Sequence, residues 1–166
     1  MTTAEPIYDP LHHARHRFTP DGENLIVDTW LEPGGKLPPP LHPVQEEYWS
    51  VVEGEVVVLA GDFKGVVRPE DGEIPVPPNT KHALWNRSGE TVHARCRVIP
   101  ALGLVEFLTD SAQAAREGLL LRGDLPRGLR GARWASRFLK RHRGETVMLW
   151  PPRFVQSAMI ALLARD

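Results

Sequence analysis

The sequence predicts a mainly β domain, a sandwich or barrel of short strands, followed by about three α-helices. Three observations lead there. Before residue 100, several short runs alternate apolar and polar residues with the period of two that a two-faced sheet requires. Gly, Pro, Asn and Asp divide those runs at the close spacing of antiparallel folds. Beyond Pro100 the apolar residues recur at three- and four-residue steps instead. The expected division is a β domain over 1–100 and a helical extension over 101–166, packed on the barrel or on a dimer partner.

The strands follow in order. NLIVDTWL (24–31) sets Leu25, Val27, Thr29 and Leu31 against Ile26, Asp28 and Trp30, and Pro33-Gly34-Gly35 ends it. EYWSVVEGEVVVLAG (47–61) is β-branched and aromatic, with a bend or bulge expected at Glu53-Gly54. Gly65-Val66-Val67 lies near a hairpin, and IPVPPN (74–79) is a stiff extended segment in which Asn79 tolerates a left-handed backbone. HALWN (82–86) and TVHARCRVI (91–99) complete the series. In the tail, LVEFLTDSAQAAREG (104–118) places Leu104, Leu108, Ser111, Ala112 and Ala115 on one helical face, with Gly118 as the stop. LRGARWASRFLKRHRG (129–144) has helical spacing weakened by Gly131, and Pro152 suits the start of the last helix. That helix, with Phe154, Val155, Ala158, Met159, Leu162 and Leu163, is too apolar to stand alone. It is expected to pack on the barrel, on another tail helix or on a second subunit.

Composition sets limits on function. With 166 residues, 25% charged and 42% hydrophobic, the chain is expected to be one soluble unit. The single Cys96 excludes an intrachain disulfide and fits a reducing compartment. The start, MTTAEPIYDP, lacks the basic and apolar regions of a signal peptide, and no apolar run is long enough to span a bilayer. A cytoplasmic protein without membrane contact is therefore expected. Charge is uneven: residues 1–110 hold 9 Lys/Arg and 17 Asp/Glu, residues 111–166 hold 11 and 4. Arg127, Arg130, Arg133, Arg137, Lys140 and Arg141 form a cationic helical stripe, read as solvated or docked on the acidic barrel. Overall near-neutrality and the lack of a binding motif argue against nucleic acid as a partner.

Two segments hold residues suited to chemistry. In PPPLHPVQEEYWSVVEG (38–54), His42 precedes Glu47 by five residues, and Glu47 shares strand parity with Trp49 and Val51. These look core-directed, so Glu47 is the carboxylate expected to point inward. About thirty residues on, His82, Leu84 and Asn86 share one strand face. Each histidine taken alone is as well explained by structural hydrogen bonding. His12, His13 and His16 are expected at the surface, because no carboxylate has a suitable spacing and the flanks are not clearly helical. His93 is expected to face outward, and Cys96 to fill a small core position.

Together the two segments resemble the paired motifs of the cupins, G-x5-H-x-H-x3,4-E-x6-G and G-x5-P-x-G-x2-H-x3-N. Gly34, His42, Glu47 and Gly54 fit the first; Pro77, His82 and Asn86 fit the second, with Gly72 one residue closer to the proline. The departures are Pro40 at the first histidine and Asn79 at the glycine. The resemblance covers roughly residues 20–100 and also extends to small single-domain bacterial cupins with C-terminal extensions. It implies a double-stranded β-helix (jelly-roll) barrel, with one divalent metal (Fe, Mn, Ni or Zn) held by His42, Glu47 and His82. Proline offers no lone pair at position 40, so the implied site has three protein ligands and more room for water or substrate. Trp49, Val51, Leu84 and Asn86 would line a pocket for a small organic molecule, although Asn86 also suits fixing a turn. Glu47 would be the catalytic group, as ligand or as base. The implied function is metal-dependent oxygenase or isomerase/lyase chemistry; the alternative is a metal-free sensor or storage cupin, and a third reading is an interaction protein acting through the tail. A homodimer is expected, as in many relatives.

Overall fold

The computed structural model describes residues 5–38, 40–149 and 151–164, with residue 40 described through its backbone. The start segment MTTAEPIYDP thus lies partly outside the described residues. The strands and helices are β1 (Ile7–Asp9), β2 (Ala14–Asp21), β3 (Asn24–Leu31), β4 (Lys36–Leu37), β5 (Pro40–Leu41), β6 (Glu46–Glu53), β7 (Val56–Ala60), β8 (Phe63–Val67), β9 (Ile74–Val76), β10 (His82–Trp85), β11 (Val92–Ile99), α1 (Leu104–Arg116), β12 (Leu120–Leu121), β13 (Leu125–Pro126), α2 (Gly128–His142), β14 (Val147–Met148) and α3 (Arg153–Leu163).

Two antiparallel sheets make the barrel. One has six strands in the order β1-β2-β3-β11-β6-β9, the other four in the order β4-β10-β7-β8. The parity expected of residues 24–31 is observed: Leu25, Val27, Thr29 and Leu31 are buried in the lumen. Register then fixes what lies beside what. Val98 of β11 stands opposite Leu25 on one side and Glu47 on the other, and Cys96 stands opposite Val27 and Trp49. Glu47 is therefore carried into the same apolar interior that holds the valines, because the strand alternation leaves it no other direction.

The bend expected at Glu53-Gly54 is present. The β6–β11 register shifts between His93 and Ala94, which is a bulge on β6. Gly54 turns the chain at φ 85°, and a Cβ there would come within 3.2 Å of a Val92 methyl.

The tail is built onto the barrel. α1 runs as expected and stops before Gly118. α2 lies so close to the segment after α1 that a Cβ on Gly131 would collide with the Leu119 carbonyl oxygen, which explains a residue that weakens the helix pattern. The cationic stripe on α2 is exposed, with Arg130 and Arg141 reaching Glu117 and Asp110 of the α1 segment. α3 packs against α2 yet buries no residue fully. The long strand β2 and the short pieces β1, β4, β5, β12, β13 and β14 add to the expected pattern. β14 pairs antiparallel with β5, Val147 opposite Leu41 and Met148 opposite Pro40, so the tail contributes a strand beside the first motif. Two-residue strands leave no periodicity to read. Among the described residues no helix is long and apolar enough to cross a membrane.

Candidate metal centre and cavity

His42 follows β5, Glu47 is the second residue of β6 and His82 begins β10, so the centre joins three segments of the chain. Asn79 links them. Its φ of 61° takes the left-handed conformation that glycine has in the motif, its N–H donates to the His42 carbonyl at 2.8 Å, and its side-chain amide donates to the Pro43 carbonyl at 3.3 Å. The second motif is thereby fastened to the first.

The three side chains converge and are buried, at 4%, 3% and 5% exposure for His42, Glu47 and His82. His42 Nε2 lies 3.4 Å from Glu47 Oε1, and His82 Nε2 lies 3.2 Å from Glu47 Oε2. The three ligating atoms fall within 4.8 Å of one another. Donors about 2.0–2.2 Å from a common ion stand roughly 3 Å apart when adjacent, so the donor set and its spacing fit a divalent metal.

The other ring nitrogens are committed elsewhere. His82 Nδ1–H donates to the Thr80 carbonyl at 3.0 Å. His42 Nδ1 faces the Glu145 carbonyl at 3.4 Å and Thr146 Oγ1 at 3.3 Å. These acceptors place the ring protons on Nδ1 and direct both Nε2 lone pairs inward, as metal-bound histidines require. Burial lowers the pKa of His42, as does the neighbouring His82, against the opposing pull of Glu47 and the Glu145 carbonyl; the neutral, ligating imidazole is favoured. Glu47 is oriented by Trp49, whose indole N–H donates to Oε2 at 2.7 Å, and by the Cys96 thiol. Burial first, and then the charge of Glu47, push that thiol well above its ordinary pKa, so Cys96 stays protonated as a donor. Nothing in the sequence marks Glu145 or Thr146, since they reach the site only because β14 pairs with β5.

The centre opens into a cavity of about 510 Å³ between the barrel and the tail. Trp49 and Leu84 are among the residues that line it. Val51 lies one register step further along β6 in the barrel core, away from the lining. Asn86 is also absent from the wall: its amide donates to the carbonyls of Leu31 and Glu90 at 2.7 Å, and its oxygen accepts from Ser88. It fixes the turn between β10 and β11.

The surface expectation for His12 and His16 is overturned; both are buried, and only His13 is exposed. His16 shares β2 parity with Ala14 and Phe18, which face the core, and its Nδ1 lies 3.0 Å from Thr29 Oγ1. His12 does have carboxylate partners. Asp9, three residues earlier at the end of β1, meets Nδ1 at 2.7 Å, and Asp124 from the β12–β13 turn approaches Nε2 at 3.0 Å, at a poor hydrogen-bond angle. Burial alone would lower the pKa of His12, but the contacts and charges of Asp124 and Asp9 outweigh it and raise the value to about 9. Burial lowers that of His16 to about 4. His93 lies on the outer sheet face as expected, where Nε2 meets Asp28 at 2.8 Å and the ring stacks on Trp30.

The comparisons with known proteins agree with this geometry. Residues 29–98 match the cupin domain family. An oxidoreductase of Arthrobotrys oligospora is 41% identical over 61 residues, 36% of this chain; the chain matches 24% of that relative's length. Among solved structures, an RmlC-like cupin from Shewanella frigidimarina superposes with a TM-score of 0.53 at 20% identity, over 61% of this chain and 89% of the other. A protein of Thermus thermophilus superposes with a TM-score of 0.51 at 23% identity, over 57% of this chain and 89% of the other. The barrel of this chain, carrying both motif segments, is a domain of the cupin superfamily.

Proposed function

We propose that this chain is a divalent-metal-binding cupin that takes a small organic ligand in its barrel and carries out oxygenase or isomerase/lyase chemistry there. The observation that carries the reading is the convergence of one ligating atom each from His42, Glu47 and His82 within 4.8 Å, at the wall of a cavity. Two imidazoles and one carboxylate are the donor set of many non-haem Fe(II) sites, and Mn, Ni and Zn accept the same atoms. The fungal relative is named an oxidoreductase, which favours the oxygenase branch.

When bound, the ion supplies a Lewis acid or a route for electrons. The residues of the chain do the rest. His42 and His82 present neutral Nε2 atoms, held in that tautomer by backbone acceptors. Trp49 and Cys96 donate to the Glu47 carboxylate and orient it. Position 40, a proline, supplies no fourth ligand, which leaves coordination to an incoming molecule. Glu47 is also placed to take a proton on Oε1 from a carbon acid bound beside it, the role a base has in isomerisation.

A specific observation supports a second reading, a metal-free binding module. Glu47 already accepts from the Trp49 indole N–H and the Cys96 thiol, so its carboxylate is held in place without an ion. Elemental analysis separates the two. After challenge with Fe, Mn, Ni or Zn and desalting, the native protein should retain one ion per chain and His82→Ala should lose most of it. Native protein left empty after all four challenges would reject the metal reading in favour of the module.

A further inference from the structure

The tail decides which organic molecules suit the cavity. A bare barrel mouth would meet water, but here α1, α2 and α3 close over it and supply a large part of the wall. Their contribution is apolar: Phe107 and Leu108 from α1, Trp134, Phe138 and Leu139 from α2, and Met159 from α3. The aromatic rings form a continuous surface. Trp134 and Phe138 stack with centroids 4.7 Å apart and planes 24° apart, and Phe107 meets Phe138 at 4.9 Å. Such a wall receives a flat ring or an extended hydrocarbon by contact and gives a sugar ring few hydrogen-bond partners along its length.

The polar groups of the cavity lie mainly on the barrel side, and several are occupied. His12 is held between Asp9 and Asp124, and His16 Nδ1 is taken by Thr29. An incoming oxygen atom finds an open role at the His42–Glu47–His82 centre, while Lys36 and Ser111 also line the cavity. The volume, about 510 Å³, lies within the ~300–1,000 Å³ that accommodates a drug-sized molecule. Water covering an apolar wall of this extent is displaced favourably by a hydrocarbon body.

We infer that the ligand is a predominantly hydrocarbon molecule, aromatic or long-chain, with an oxygen function at one end: the body lies against the α1–α2–α3 wall and the oxygen points at the metal centre. The body half of this inference stands on the cavity alone; the oxygen half rests on the proposed metal site, and the test separates them.

The probe is N-phenyl-1-naphthylamine, an uncharged fluorophore of suitable size, titrated into the full chain with and without zinc. Saturable binding of one probe per chain is expected, displaced by 4-nonylphenol or 1-decanol and not by glucose at a thousandfold higher concentration. Ala135→Trp, which fills the cavity from α2, should weaken probe binding at least tenfold, and Leu139→Trp serves as a second filling variant if the first fails to fold. Probe retained in His82→Ala together with metal loss would support the apolar chamber independently of the metal centre. Zinc loading should tighten 4-nonylphenol at least threefold and leave 1-phenylnonane, which lacks the oxygen, unchanged. The absence of saturable binding, equal displacement by glucose, or binding untouched in every folded filling variant would overturn the chamber. Equal zinc effects on the phenol and the hydrocarbon would overturn the placement of the oxygen.

Discussion

His12 shows how much a single buried side chain depends on partners that only folding supplies. Asp9 is visible three residues away in the sequence, but β1 carries no alternation to mark it, and Asp124 is over a hundred residues distant. The consequence for stability has a definite sign. A folded-state pKa near 9 against an ordinary 6.5 means that the contribution of His12 is complete below pH 6.5 and is lost as pH rises through about 9. The shift corresponds to roughly 3 kcal/mol. Urea midpoints should therefore fall from pH 6.5 to 8.5 in the native protein and stay nearly flat over that window in His12→Ala. The raised thiol of Cys96 adds a loss of its own only above its ordinary pKa near 9. On the acid side the lowered pKa of His16, about 4, gives the reverse: its contribution is present above 6.5 and fades as pH falls toward 4. At the metal centre, Thr146→Val removes an acceptor facing His42 Nδ1 and leaves the Glu145 carbonyl in place. Removing such an outer partner costs about 10–100-fold in metal affinity, and the low end is expected here, read as the zinc dissociation constant by competition with a chromophoric chelator. Unchanged affinity would remove Thr146 from the account of the centre.

At the scale of elements, the longer barrel strands such as β3, β6 and β11 are legible because they have enough length to express a period of two, and the motif residues His42, Glu47 and His82 can be placed by parity and spacing. Val51 and Asn86 cannot, because parity tells which face a residue takes and not how far along the barrel it lies. The tail helices are legible from spacing, but the contacts that give them meaning are not. Gly131 is an example: in sequence it reads as a defect in α2, and in the fold it admits the Leu119 carbonyl to the helix surface. Gly131→Ala gains helix propensity and still should destabilise, since a methyl group there must displace backbone; an overpacking cost of about 1–3 kcal/mol is expected, seen as a fall in Tm of several degrees. A rise in Tm would mean that α2 has freedom to move away from the β12 segment.

For the whole molecule, the question is whether barrel and tail act as one. Gln45 of the barrel donates to the carbonyls of Pro100 and Ala101 at 3.1 and 2.7 Å, His42 faces Glu145 and Thr146, and β14 pairs with β5. These ties predict a single cooperative urea transition, with tryptophan fluorescence and far-UV circular dichroism coinciding. Separate transitions would make 101–166 an independent unit. The outer face of α3 leaves Phe154 76% and Leu162 70% exposed, and the homodimer remains a proposal that light scattering can test on the native chain and on Phe154→Glu. The most direct test of the central claim is X-ray absorption at the metal edge of the loaded protein. The account predicts two imidazoles among light N/O donors at about 2.0–2.2 Å and no sulfur, despite Cys96 beside Glu47. A sulfur ligand at about 2.3 Å, or fewer than two imidazoles, would contradict it.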